Sequence, residues 1–366
     1  MNAQPIRVLV VDDSALMRKL IPQILQTDNS IQVVGTAMDG NFGLKKIEDL
    51  KPQVITLDLE MPGMGGIDML KEIMRRHRIP VIVVSSHSTE GASITLKALS
   101  LGAFDFVAKP TDVSSRLQES ARELIAKIKA AAQSRGIQIA APGELPVPLP
   151  RQKVTWGDRV QPTKIVAIGI STGGPQSLQY LLAQLPHDFP GSFVVVQHMP
   201  EGFTEMFARR LDECCALNIK EAQSGDLLLA GRVLICPGSR HLKVKRLPLG
   251  DIAILSDDPR VNGHRPSADV LFKSVAEEFG ERAIGLIMTG MGEDGAHGLG
   301  LIKAAGGITI AQSEQSCVVF GMPKAAIERG HAMRVVDLQA LANTLQAQCS
   351  SGRNGGGEKA IGAGYA

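Results

Sequence analysis

Three residue environments in this chain suit acyl transfer. One is a serine held between glycines, another a histidine directly after an apolar run, and the third an aspartate in a glycine-rich turn. Ser171 follows Lys164-Ile165-Val166-Ala167-Ile168-Gly169-Ile170 and precedes Thr172-Gly173-Gly174-Pro175. Its Gly-x-Ser-x-Gly spacing marks a strand-to-helix turn that exposes a hydroxyl and admits backbone close to it. Such a hydroxyl becomes a nucleophile when a base takes its proton and an acid orients that base. His198 is the best-placed base, because it directly follows Phe193-Val194-Val195-Val196-Gln197. Among the eight histidines, His77, His87 and His187 read as loop or helix-end residues, and His331 lies beyond the strand-end motifs. His241, His264 and His297 stay open as alternatives. For the acid, the strand-like run at 284–289 enters Gly290-Met291-Gly292-Glu293-Asp294-Gly295, whose glycines permit a tight turn aiming Asp294 at the sheet edge. Glu293 is its nearest rival. Glycine-rich turns also bind dinucleotides, but Gly169-Ile170-Ser171-Thr172-Gly173-Gly174 lacks Gly-x-Gly-x-x-Gly spacing, and no acid sits at a ribose position.

A second constellation lies near the N-terminus. Asp12 and Asp13 end the first strand-like run and Asp58 the third, so in a parallel sheet three carboxylates converge. Packed carboxylates repel one another unless a hard cation such as Mg²⁺ neutralises them. Ser85 ends the fourth run and Lys109 follows the fifth, so they can bring a hydroxyl and an ammonium to the same place. Cation, lysine and hydroxyl together are what a phosphoryl group on Asp58 requires.

Both constellations need sheets to position them. Strand-like runs at 7–11, 31–36, 54–57, 81–85 and 104–107 alternate with helical patterns at 16–25, 43–50, 67–76, 94–101 and 115–132. That alternation predicts an α/β unit with a five-stranded parallel sheet covered on both faces, with sites at the carboxyl ends of strands. Residues 142–150 read Pro-Gly-Glu-Leu-Pro-Val-Pro-Leu-Pro, a stiff linker that cannot continue a helix. A second alternating region has strand runs at 165–170, 193–197, 232–236, 252–255, 284–289 and 308–311, and one hairpin near 242–255. Its helices fall at 176–185, 203–214, 268–279, 298–305 and 323–329. It reads as a doubly wound α/β unit. The expected division is 1–133, a linker at 134–161, a second unit at 162–348, and a flexible glycine-rich tail at 349–366.

Composition narrows the function. A net charge of +2 and 4% aromatic residues argue against nucleic acid as a partner. Five cysteines without a Cys-x-x-Cys pair argue against zinc or a disulfide framework and fit a reducing cytoplasm. The N-terminus lacks a signal-peptide core, and no apolar run approaches the roughly 20 residues that cross a bilayer, so no membrane insertion is expected.

The first unit resembles the receiver domain of two-component response regulators through Asp12-Asp13-Ser14, Asp58 followed by Met61-Pro62, Ser85, and Lys109-Pro110. The resemblance implies that a histidine kinase phosphorylates Asp58. It further implies Mg²⁺ bound by Asp13, Asp58 and, through water, Asp12, and movement of Ser85 and Phe106 on activation. Phenylalanine at that site lacks the hydroxyl of the tyrosine common in the family. The second unit carries Gly-Ile-Ser-Thr-Gly-Gly-Pro, Gln-His-Met-Pro, His-Arg-Pro-Ser-Ala-Asp-Val-Leu-Phe and Met-Thr-Gly-Met-Gly-Glu-Asp-Gly. Joined to a receiver, these motifs resemble the bacterial chemotaxis protein-glutamate methylesterases from about residue 5 to 347. The likeness implies Ser171 as nucleophile, His198 as base and Asp294 as its orienting acid, with the Met291 amide and the Thr172 region at the oxyanion site. It implies methyl-accepting chemotaxis receptors as substrate, glutamine deamidation beside demethylation, a chemotaxis histidine kinase as phosphodonor, and no cofactor for hydrolysis. A non-catalytic adaptor needs only the receiver and a binding surface. A DNA-binding regulator needs a basic recognition helix, which does not follow the linker.

Overall fold

Strands built wholly of buried residues form the centre of each sheet. The computed structural model describes residues 4–86, 88–109, 116–134 and 161–350. Residues 135–160 of the expected linker, residues 351–366 of the expected tail, His87 and Pro110 lie outside the described residues.

The N-terminal unit runs β1 (Ile6–Val11), α1 (Met17–Leu25), β2 (Ile31–Ala37), α2 (Gly40–Leu50), β3 (Val54–Asp58), α3 (Gly66–Arg76), β4 (Val81–Ser85), α4 (Thr89–Ser100), β5 (Asp105–Ala108) and α5 (Arg116–Gln133). Its sheet has the order β2-β1-β3-β4-β5, parallel throughout. Because β1 and β3 are neighbours, Asp12 and Asp58 emerge side by side. Helix α2 starts at Gly40, before the expected 43, since the Asp39 side chain accepts the Phe42 N–H and caps a turn that glycine alone disfavours. Likewise Ser88 caps α4 through Gly91 N, extending it back from 94 to Thr89.

The C-terminal unit runs β6 (Ile165–Ile170), α6 (Gly174–Leu182), β7 (Ser192–Gln197), α7 (Phe203–Cys214), β8 (Asn218–Glu221), β9 (Arg232–Ile235), the hairpin β10 (His241–Lys245) and β11 (Ile252–Ser256), α8 (Ala268–Phe279), β12 (Ala283–Ile287), α9 (Ala296–Ala304), β13 (Ile308–Gln312), α10 (Met322–Glu328), β14 (Arg334–Val336) and α11 (Leu338–Ser350). Seven parallel strands lie in the order β14-β13-β12-β6-β7-β9-β8, and β10 pairs antiparallel with β11 apart from them. The chain leaves β6 toward β7 on one side, while β12 flanks β6 on the other. The carboxyl ends of β7, β6 and β12 therefore line one crevice at the switch point, where open α/β sheets place ligands. Residues 349 and 350 of the expected tail belong to α11, which continues through Ser350, with Cys349 fully buried and its carbonyl accepting from Thr163 Oγ1 at 2.9 Å.

One apolar cluster runs through both units, joining Leu9, Leu96 and Phe106 to Leu178, Phe203 and Phe207. Helix α4 packs on α6 and α7. The Phe106 ring stacks on Phe203, with centroids 4.8 Å apart and planes inclined by 19°. Gln176 Nε2 donates to Leu99 O and, at 3.2 Å, to Ala103 O.

Candidate active site

Ser171 leaves β6 on a backbone held from three directions. Its N–H donates to Thr289 O at 3.0 Å, and its carbonyl accepts from Gly174 N at 2.7 Å and Gln197 Nε2 at 3.1 Å. Gly173 has φ +73°, and a Cβ there would lie 2.5 Å from Val318 Cβ, so the turn requires glycine on both counts. Gly290 lets the β12 loop pass the Ser171 turn: a Cβ on it would come within 2.8 Å of Ser171 Cβ. The Ser171 hydroxyl makes no hydrogen bond among the described residues, and the residue is half-buried.

His198 comes next to Ser171 through strand register. Ile170 pairs with Gln197 across β6 and β7, and His198 N donates to Ile170 O at 3.1 Å. Its Nε2 lies 2.8 Å from Asp294 Oδ2, and its Nδ1 is buried without a partner.

Asp294, 1% exposed, sits on the N-terminus of α8. Its carboxylate accepts Ser267 Oγ at 2.6 Å, Ala268 N at 2.6 Å and Asp269 N at 3.2 Å besides the histidine. Burial pushes this acid up, but the His198 contact, the Ser267 hydroxyl and the Ala268 amide outweigh it and hold the acid at about 2. A carboxylate only accepts, so the hydrogen in this bond sits on His198 Nε2. This reverses the usual assignment, in which the acid binds Nδ1. Its rival Glu293 turns outward to pair with Arg329.

The remaining candidates are placed differently. Thr172 is buried, its carbonyl accepting from Thr289 Oγ1 at 3.0 Å. Met291 is 36% exposed in the β12 loop. His297 is exposed, His331 Nδ1 lies 2.7 Å from Ala296 O, and His241 is buried beneath the loop that carries Ser267. His264 stacks on His198. Ser267, the two α8 amides and Phe203 escaped the sequence reading. A serine directly before the helical run 268–279 was the available signal for Ser267 and its amides.

In the N-terminal unit, ligand oxygens of Asp12, Asp13 and Asp58 lie within 4.8 Å of one another. Lys109 Nζ is 2.7 Å from Asp58 Oδ2 and 3.5 Å from Asp12 Oδ2. Burial raises the Asp12 acid above the ordinary carboxylate range, with Lys109 opposing. For Lys109, burial pulls the ammonium down, but Asp58 and Asp12 outweigh it and hold it above its usual value. Asp12 Oδ2 is buried without a hydrogen-bond donor, and three converging carboxylates suit a hard divalent cation, so these residues fit Mg²⁺. Ser85 is buried with its hydroxyl 2.6 Å from Thr95 Oγ1, turned toward α4. Beside it Phe106 is buried, with Lys127 Nζ 5.3 Å from its ring centroid and 2.6 Å from its carbonyl.

The two sheets and their strand-end residues define a receiver domain coupled to an α/β enzyme domain. Residues 8–122 match the model of the response regulator receiver domain, and 166–345 match that of the CheB methylesterase. The protein-glutamate methylesterase/protein-glutamine glutaminase 2 of Koribacter versatilis is 61% identical over 358 residues, covering 96% of this chain and 99% of that protein. A protein-glutamate methylesterase/protein-glutamine glutaminase of Pyrococcus horikoshii is 43% identical over 355 residues, covering 96% of this chain and 95% of its own length. The crystal structure of the Thermotoga maritima CheB methylesterase catalytic domain is 42% identical, covers 50% of this chain and 97% of its own, and gives a TM-score of 0.49. The chain belongs to the protein-glutamate methylesterase/protein-glutamine glutaminase family.

Proposed function

We propose that this protein is a phosphorylation-activated serine hydrolase that demethylates glutamate methyl esters on chemotaxis receptors and deamidates receptor glutamines. The observation that carries the reading is the 2.8 Å bond between His198 Nε2 and Asp294 Oδ2, formed at the strand end beside the Ser171 turn. Ser171 Oγ attacks the ester carbonyl carbon while its proton passes to His198 Nδ1. Asp294 holds the ring and balances the imidazolium that forms. The tetrahedral oxyanion collapses, the C–O bond breaks, and methanol leaves with the proton from His198. Water, deprotonated by His198, then cleaves the acyl-serine and leaves a glutamate. With glutamine the same path releases ammonia. Donors at the turn, with the Met291 amide and the Thr172 region as candidates, stabilise the oxyanion; one such donor is worth about 2.7–4 kcal/mol.

The receiver controls access. In the resting form the end of the receiver lies against the elements that carry the catalytic turn: Gln176 Nε2 donates to Leu99 O and Ala103 O, and Phe106 stacks on Phe203. That arrangement leaves little room for a bulky receptor helix. A chemotaxis histidine kinase is the phosphodonor and Asp58 the acceptor. Asp13, Asp58 and, through water, Asp12 would hold Mg²⁺, which would supply positive charge to neutralise the phosphoryl oxygens. Lys109 and Ser85 move toward the new charge, and Phe106 follows, loosening the seam. No helix among the described residues is long and apolar enough to cross a membrane, and we place the enzyme in the cytoplasm. The test is methanol release from methylated receptor membranes, with and without a small phosphodonor and Mg²⁺. Ser171→Ala is expected to abolish release, and Asp58→Asn to remove its stimulation. Full hydrolysis by Ser171→Ala would overturn the assignment.

A further inference from the structure

A single hydrogen bond fixes a point on an imidazole ring but not the plane of the ring. His198 has one side-chain hydrogen bond, through Nε2, and a buried Nδ1 without a partner, so Asp294 alone leaves the ring free to turn about that bond. What remains is its face. The His264 ring lies flat against it, with centroids 4.2 Å apart and planes inclined by 3°.

His264 is itself held by a braced loop between β11 and α8. Val261 and His264 exchange both backbone hydrogen bonds, at 3.0 and 2.9 Å. Arg265 Nη1 donates to the carbonyls of Asp257 at 3.0 Å and Asp258 at 3.3 Å. The buried His241 accepts Ser267 N–H at Nδ1, 3.3 Å away, and donates through Nε2 to Pro259 O at 3.1 Å. The same loop ends in Ser267, whose hydroxyl binds Asp294. One segment thus touches both the ring of the base and the carboxylate that orients it.

The contact also constrains charge. Two imidazolium rings face to face at this distance repel, so His264 has to stay neutral while His198 carries the transferred proton. Burial, then the neighbouring His198, depress His264 to about 4, with Arg260 acting in the same sense and Asp294 and Glu123 opposing. His264 is therefore a neutral plate at the pH where esters are hydrolysed, with no part in proton transfer.

We propose that His264 is a positioning residue of the hydrolytic site, clamping His198 in the plane that gives Nε2 to Asp294 and keeps Nδ1 free to receive the Ser171 proton. This rests on the assignment of Ser171, His198 and Asp294 above.

The experiment uses the full chain activated with a small phosphodonor and Mg²⁺. His264→Ala removes the plate; His264→Phe keeps a flat ring that cannot titrate. The alanine variant is expected to lose kcat on the order of 10²-fold, the typical effect of a misplacement of about 1 Å, with KM unchanged. The phenylalanine variant is expected to recover most of that loss. Nitrogen-15 spectra of labelled histidine, recorded in Ser171→Ala protein to remove turnover, report the ring directly. With His264 present, His198 is expected in one form, with hydrogen on Nε2 and none on Nδ1. With alanine the Nε2 bond to Asp294 stays but the ring turns about it, so the ring nitrogen signals are expected to shift and broaden, and with phenylalanine to return to their positions. Wild-type kcat in His264→Ala, no recovery in His264→Phe, or an unchanged His198 spectrum in the alanine variant would each overturn the proposal. If Ser171→Ala still hydrolysed receptor esters, the hydrolytic assignment would fail instead, while the spectra would still report on the clamp.

Discussion

Asp294→Asn keeps the shape of the side chain and removes one acceptor and the charge. The carboxylate accepts Ser267 Oγ and Asp269 N on Oδ1, and Ala268 N and His198 Nε2 on Oδ2. In asparagine the amide oxygen can serve one pair, and the NH₂ group then faces two donors. His198 relieves its conflict by moving its hydrogen to Nδ1 and accepting at Nε2, which removes the lone pair that Ser171 needs. Ala268 N–H has no such escape and is left unpaired, at about 1–3 kcal/mol. The lost charge adds to this. An acid at about 2 in the fold, against roughly 3.9 unfolded, contributes about 2–3 kcal/mol. Because the folded value is depressed, that stability is present above about pH 4 and is lost as pH falls through 2. Asp294→Asn is therefore expected to lower stability at neutral pH by about 3–6 kcal/mol, read as an earlier urea midpoint. Neutralising the orienting acid of such a triad lowers kcat about 10⁴-fold, equivalent to roughly 5.4 kcal/mol of barrier. The assay is methanol release from methylated receptor membranes at saturating phosphodonor. Release within tenfold of wild type would refute the tautomer argument.

Ser267→Ala removes the 2.6 Å donor to Asp294 but leaves the two α8 amides in place. A stability loss of about 1.5–3 kcal/mol in thermal unfolding is expected, with a fall in kcat far smaller than for Asp294→Asn. Phe203→Ala breaks the ring stack with Phe106, a contact worth about 0.5–1.5 kcal/mol beyond its area. It should raise methanol release by the unphosphorylated protein by about 2- to 10-fold and leave the phosphorylated rate unchanged; an unaltered resting rate would count against the seam as a brake. His264, depressed to about 4 from its ordinary value near 6.5, binds protons more readily unfolded than folded. Its contribution is therefore full above about pH 6.5 and lost as pH falls toward 4, so urea midpoints of His264→Phe should decline less than wild type across that window.

Strand ends carry most of what was legible in the sequence. Runs such as 54–57 and 81–85 are buried along their whole length, so an apolar pattern locates them and the polar residue that follows each. The edge strands β8 and β14 gave no such signal: Ile219 is the one buried residue of β8, and β14 has none. An edge strand pairs on one side only, and its composition approaches that of a loop. Ser171, His198 and Asp294 were accessible as positions after strands, but the nitrogen of His198 that faces the acid was not. That choice depends on α8 bringing Ser267 and two amides under the carboxylate, a contact spanning some 25 residues. The His198–His264 stack and the Phe106–Phe203 seam join distant segments with no periodic pattern between them.

Temperature bears on the seam. Phe106 and Phe203 bring almost entirely apolar surface together, and such contacts draw their strength from water that gains freedom when the rings leave it. That gain shrinks on cooling, so a closure made of stacked phenyl rings grips less firmly near freezing than in warmth. If the seam is the brake proposed above, an unphosphorylated protein would restrain its hydrolytic site less in the cold than in warmth.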